Sequence, residues 1–281
     1  AQYQNIGSTE NKGVEFSVKG VILDHQSKAL SYGLTVDANL AYNKNMVVDL
    51  GNATSLSAQT NCFGSSEYLT LAEFLVEVGQ PVGNVLGYET DGYYTASDFV
   101  SYVPSSDSWG LKEDVVKYDP DLWTTTIRPG TIKVKDQNGD GKITEEDKVI
   151  LGNTVPVLNG GFNISAYVGG DKWGRFDLTA NFTFSWGNKI LNLSHMEYTT
   201  VTEKSRMRNL ISEMDFANRY SLFAADGTYM PSSLSAGKAL LFGDDYTAMA
   251  NALDESNAAK GAKYASPIRS HYLVTDRDVE D

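Results

Sequence analysis

The sequence predicts an all-β fold: part of a large antiparallel transmembrane β-barrel that carries long extracellular loops. Three observations predict it. Two long runs alternate apolar and polar residues with period two. Short, turn-rich connectors join each run to a weaker neighbour. The remaining stretches are long and irregular, as loops on one side of a barrel are.

The first run is Ser31 to Asn43. Tyr32, Leu34, Val36, Ala38, Leu40 and Tyr42 fall on one face; Ser31, Gly33, Thr35, Asp37, Asn39, Ala41 and Asn43 fall on the other. Successive side chains of a strand point to opposite faces, so one face is apolar and the other polar. The second run is Phe176 to Trp186, with Phe176, Leu178, Ala180, Phe182, Phe184 and Trp186 together. A strand of this length, tilted by about 45°, spans roughly the 25 Å apolar band of an outer membrane. Tyr32, Tyr42, Phe176 and Trp186 end the runs, where a barrel strand meets the two lipid–water interfaces. The apolar rows are therefore expected to face lipid.

Val14–Asp24 is expected to pair with Tyr32–Tyr42 across residues 25–28, and Phe162–Val168 with Phe176–Trp186 across residues 169–172. Residues 65–78 are expected to form a short amphipathic helix. Residues 87–129 and about 205–270 read as irregular. A soluble antiparallel sandwich also alternates, so a soluble calcium-dependent carbohydrate-binding module is the alternative, with Tyr94, Trp109 or Trp123 as sugar platforms.

Composition narrows the function. The formal net charge is -13 over 281 residues, which leaves no electrostatic basis for a nucleic-acid partner. Cys62 is the single cysteine, so no intrachain disulfide can form. His25, His195 and His271 share no ligand spacing, and no nucleophile or phosphate-loop motif occurs, so no enzyme is expected.

Residues 136–147 read as a calcium-type loop. Asp136, Asn138 and Asp140 stand at positions one, three and five, with Gly141 at six. Lys142 offers its carbonyl at seven, Thr144 is a direct or water-mediated ligand, and Asp147 stands at twelve in place of the usual Glu. Ca²⁺ is a hard cation that takes six to eight oxygens, and this spacing wraps them around one point. A structural Ca²⁺ is the expected cofactor.

Several segments carry a family resemblance. Asn5-Ile6-Gly7-Ser8-Thr9-Glu10-Asn11-Lys12-Gly13-Val14-Glu15-Phe16 resembles the segment that opens a barrel strand in SusC/RagA-type TonB-dependent transporters. Ala41-Tyr42-Asn43-Lys44-Asn45, Gly87-Tyr88-Glu89-Thr90-Asp91-Gly92, the block from Arg128 through the calcium-type loop, and residues 150–163 resemble further elements of that family in the same order. Val274-Thr275-Asp276-Arg277-Asp278-Val279-Glu280-Asp281 resembles the segment before the last strands, with Asp278 replacing a usual aromatic. The resemblance implies a bacterial outer-membrane importer of a bulky nutrient, glycan or peptide, with a SusD-like surface lipoprotein as partner and TonB engaged through an N-terminal part. On this reading residues 1–281 are a partial barrel without plug or final strands, and transport belongs to a longer polypeptide. Tyr93, Tyr94, Trp109 and Trp123 are the loop aromatics expected to meet substrate.

Overall fold

The computed structural model describes residues 7–58, 73–201, 209–224, 226–231, 245–268 and 273–281. Four long strands form one antiparallel sheet: β1 (Ser8–His25) and β2 (Ser31–Asp49), then, beyond an insert, Leu158–Gly170 and Gly174–Trp186. The insert supplies ten short strands in chain order. They are β3 (Ser55–Ala58), β4 (Phe74–Glu77), β5 (Asn84–Gly87), β6 (Thr90–Tyr93), β7 (Phe99–Val103) and β8 (Ser108–Leu111). Then come β9 (Lys117–Tyr118), β10 (Ile132–Val134), β11 (Lys142–Ile143) and β12 (Val149–Asn153). The second pair of long strands is therefore β13 and β14, and the sheet order is β1-β2-β13-β14.

Both expected hairpins form, with longer strands than expected. β1 pairs with β2 from Ser8↔Asp49 to His25↔Tyr32, and β13 with β14 from Leu158↔Trp186 to Gly170↔Gly174. At the first turn the Ser27 hydroxyl donates to the Leu30 carbonyl (2.7 Å) and the Ser31 hydroxyl to the Ser27 carbonyl (2.8 Å). At the second turn Gly174 takes φ +88°, a left-handed conformation that favours glycine.

Register then builds two faces. Tyr42, Leu158 and Trp186 lie in one row; Ala38, Phe162 and Phe182 in another; Tyr32, Val168 and Phe176 in a third near the turns. The rings of Phe162 and Phe182 stack across strands at 4.5 Å. The opposite face carries Asp37, Asn163 and Asn181 in one row and Thr35, Ser165 and Thr179 in the next. Tyr32 and Tyr42 are ten residues apart, about 34 Å along the strand and roughly 24 Å after a 45° tilt.

The apolar face is uncovered: Phe176 is 66%, Leu178 68% and Trp186 67% exposed. Tyr32, Leu40, Tyr42, Phe182 and Phe184 are exposed too, while Leu34 and Val36 are half-buried. Neither hydrophobic cluster contains a residue of β1, β2, β13 or β14. A soluble sandwich would bury this face against a second sheet, and among the described residues none packs there. Among the described residues the sheet is therefore open on its apolar face and is not one half of a sandwich.

Asp49, Leu158 and Trp186 stand at the end of the sheet away from the tight turns, so the insert and the chain after β14 emerge together there. They pack into one loop body. After β14 come β15 (Ile190–Leu191), α1 (Leu193–Thr199), α2 (Tyr246–Ala259) and β16 (Val279–Glu280). β15 pairs with β16, and Tyr88 donates its amide to the Val274 carbonyl at 2.9 Å. The core of this body is aromatic: Tyr88, Tyr94, Phe99, Trp109, Tyr118 and Trp123 are buried with Ile132, Met249 and Leu253.

Two expectations need correction here. Phe74–Glu77 is strand β4, not the end of a helix, because β3 and β5 flank it and supply a ladder on both sides. Residues 65–72 of that expected helix lie outside the described residues. The stretch read as irregular from about 205 to 270 contains α2, whose Asp245 accepts from the Ala248 amide as N-cap (3.0 Å) and whose Met249 and Leu253 enter the core.

Candidate functional site

The loop body holds the residues to which the sequence assigns function, and β10 and β11 position the first group. β10 pairs with β6, and Lys135 beyond it donates its amide to Glu89 and ion-pairs with the Glu89 carboxylate. The chain then turns through Gly139 (φ +76°) and Gly141 (φ +84°) before Ile143 plugs into the core, fully buried.

Inside the turn the oxygens hold the main chain. Asp136 accepts from the Gly139 amide (2.7 Å) and the Gly141 amide (2.8 Å). Asn138 accepts from Asp140 N (2.9 Å), and Asp140 from Lys142 N (2.8 Å). Asp147 is fully buried; it accepts from Gln137 N (2.9 Å) and Thr144 N (2.7 Å). The Thr144 hydroxyl accepts from Glu146 N at 3.1 Å, so Thr144 and Asp147 cap a short 3₁₀ turn. The donor set is oxygen only, which suits a hard cation, but both Asp147 oxygens are already engaged, Oδ1 by the Gln137 and Asn138 amides and Oδ2 by the Thr144 amide and hydroxyl. The loop is thus closed by its own amides. Among the described residues no three His, Cys, Asp or Glu side chains converge at metal spacing.

The loop aromatics have a different role from the expected one. Tyr94, Trp109 and Trp123 are core residues, 0%, 7% and 5% exposed. Trp123 stacks on Tyr118 at 4.9 Å, and Trp109 packs on Tyr102 at 4.4 Å. Their rings offer no open face to a substrate, because a body this rich in loops needs large apolar side chains to make a core at all. Tyr93 is half-buried; its hydroxyl donates to the Ala262 carbonyl (3.0 Å) and its ring lies 5.0 Å from that of Tyr220.

One constellation was not assigned from sequence. His195 on α1 places Nδ1 2.9 Å from the Asp278 carboxylate and Nε2 3.2 Å from that of Glu213. The Asp278 hydrogen bond, then the Glu213 one, raise the histidine pKa against the opposing effect of burial. Asp278 is itself buried, and its second oxygen accepts from the Thr275 amide and hydroxyl. The signal in the sequence was Asp278 standing where related segments carry an aromatic. A histidine with an acid on each nitrogen fastens three segments.

No protein-family model matches the chain. Three TonB-dependent receptors of Formosa agariphila resemble it: P3 at 28% identity over 70% of this chain, P26 at 27% over 69%, and P39 at 25% over 72%. A solved structure of the RagAB peptide transporter superposes with a TM-score of 0.43 and 19% identity, covering 75% of this chain and 20% of that one. The aligned region is 17% of P3, 16% of P26 and 18% of P39. The chain is thus similar in sequence to TonB-dependent receptors, and it spans about a sixth of the length of those it matches.

Proposed function

We propose that this chain forms part of the wall and the outer loops of an outer-membrane importer that takes up a bulky nutrient, glycan or peptide, under TonB control. The observation that carries this reading is the uncovered apolar face of the four-stranded sheet, with membrane-spanning length and aromatic ends. Water does not tolerate such a face, and lipid does. The polar rows of Asp37, Asn163 and Asn181 then line the lumen, and the loop body stands over its outer mouth. A SusD-like surface lipoprotein docks on that body and presents substrate to it. The names of the relatives support TonB dependence. The experiment is uptake of labelled oligosaccharides and peptides by cells expressing the full-length protein, with and without TonB. Uptake that stops without TonB is expected. A full-length protein that fractionates as soluble, or uptake indifferent to TonB, would overturn the reading.

The Asp136–Asp147 loop is read as a structural Ca²⁺ site, held by Asp136, Asn138, Asp140, the Lys142 carbonyl and Asp147, with Thr144 direct or through water. What supports it is the oxygen spacing and the two left-handed glycines that let the loop wrap. Calorimetric titration of chelator-treated protein with Ca²⁺ should show saturable binding that D140A weakens. Absence of binding heat would reduce the loop to a capped turn.

A further inference from the structure

The loop body is part of a strongly acidic chain, yet one corner of it gathers cations that form no salt bridge among the described residues. Arg219, Lys260, Lys263 and Arg277 meet where the segment around Phe216–Tyr220 crosses the chain that leaves α2. Arg219 bridges Tyr264 in the backbone, and Lys263 and Tyr264 donate their amides to the Asn218 carbonyl at 2.7 and 3.1 Å. Among the described residues none of these four cations has a carboxylate within 4.0 Å.

Two of them have a local reason to be there. Lys260 closes α2, where a cation meets the negative end of the helix, and Arg277 lies over the Tyr264 ring at 5.3 Å while donating to the Lys263 carbonyl at 3.3 Å. Arg219 has no side-chain partner of either kind among the described residues. It is half-buried, and burial lowers its pKa more than the Asp215 charge raises it. Lys260 is lowered as well, by burial and then by the charge of Arg219. Two partly desolvated like charges side by side destabilise each other. An arrangement of this kind gains most from an anion placed between the two groups.

The neighbouring rings narrow the class of anion. Lys260 sits 4.3 Å over one face of Phe216, which is 42% exposed. An aromatic face attracts the C–H-rich face of a pyranose ring. An extended peptide would instead seek free strand-edge amides and carbonyls. Here the two segments spend theirs on each other, through Asn218, Tyr220 and Tyr264.

We propose that Arg219 and Lys260 form an anion subsite that grips a carboxylate or sulfate of an acidic oligosaccharide, with the partly exposed Phe216 ring against the sugar ring. This rests on the import reading and names the substrate class the loop body selects. The experiment uses detergent-purified full-length protein and calorimetry. The probes are oligogalacturonate and a sulfated galactan oligosaccharide, each beside its neutral form after carboxyl reduction or desulfation, and an oligo-glutamate peptide. At least one acidic glycan should bind, about tenfold or more tighter than its neutral form, with affinity falling as salt rises. R219Q/K260Q should remove that difference, whereas R219K should keep most of it, and neither should lower the thermal midpoint. Equal binding of acidic and neutral glycans, no binding of either acidic glycan, or a double variant without effect would overturn the proposal. Binding of oligo-glutamate in place of the glycans would overturn the sugar assignment. Binding here needs no TonB, so its failure leaves the import reading standing, and loss of TonB-dependent uptake would leave a measured anion site standing.

Discussion

The sheet and the loop body solve the burial problem in opposite ways. β1, β2, β13 and β14 are joined by long, nearly continuous ladders, broken in β1–β2 only by shifts at Ser8/Thr9 and Val21/Leu23, and not one of their side chains belongs to a hydrophobic cluster. The loop body has short ladders and an interior of rings whose hydroxyls tie distant segments. Tyr94 donates to the Val116 carbonyl (2.8 Å), Tyr118 to that of Ile132 (2.9 Å), and Tyr246 to that of Ala96 (2.8 Å). The Tyr220 hydroxyl, 2.7 Å from Asp254, joins α2 to the turn at Ala96, whose amide the same carboxylate accepts at 2.9 Å. On the proposed import reading, what differs is the solvent: the sheet would have lipid outside and water within, so its order is written in register, while the loop body would stand in water and supplies its own interior.

The largest effect should come from charging the lipid face. Phe182 lies in the row of Ala38 and Phe162, near the middle of the span. F182R should cost about 2–4 kcal/mol, the usual penalty for Arg near the bilayer midplane of a barrel. T183R, one residue along and on the polar face, should cost far less. Urea titration of the full-length protein refolded into vesicles measures both. Equal destabilisation by the two substitutions would break the distinction between faces.

A second substitution asks whether the two regions are energetically separate. Leu253 is fully buried in the loop body, and L253A should cost about 2–5 kcal/mol of local stability through lost burial and the cavity left behind. Hydrogen exchange should speed up across residues 88–134 and α2 while the ladders of β13 and β14 stay protected. Faster exchange in those ladders would mean that the sheet depends on the body it carries.

The same contrast explains what could be read from sequence. Period-two alternation in Ser31–Asn43 and Phe176–Trp186 is a local signal, so both hairpins and both faces were legible, and only strand ends were misjudged. The loop body is built from contacts between distant residues. Trp109 meets Tyr246 with ring centroids 6.4 Å apart, and no local pattern announces that. Rings in a Gly- and Asp-rich stretch look the same whether they will be core or surface, which is why Tyr94, Trp109 and Trp123 read as substrate platforms. α2 went unread because Ala and Asn dilute its apolar face, although Asp245 three residues before Ala248 is a capping signal. The calcium-type spacing was plain, and so was the alternative that Asx side chains in such a turn cap their own backbone, as these do.

The smallest effect concerns the fastening of the loop body at His195, whose two acid partners lie 83 and 18 residues away in sequence. A neutral imidazole has one N–H, so it can donate to only one of Asp278 and Glu213 and must turn a lone pair toward the other. The imidazolium donates to both. The histidine pKa is accordingly raised in the folded state, first by Asp278. A raised folded pKa means that the contribution is fully present below the unfolded value of about 6.5 and is lost as pH rises through the folded value. The segments that carry the two acids, residues 209–216 and 273–281, should therefore lose hydrogen-exchange protection, corrected for intrinsic rate, as pH is raised from about 6 to 9. H195N, which cannot titrate in this range, should show a flat profile over the same residues. The ladders of β13 and β14 should be indifferent to pH in both proteins, since His195 touches neither strand. Wild-type protection that stayed level or rose with pH would mean that the imidazole is neutral between its two acids, and that the fastening is a single hydrogen bond to Asp278.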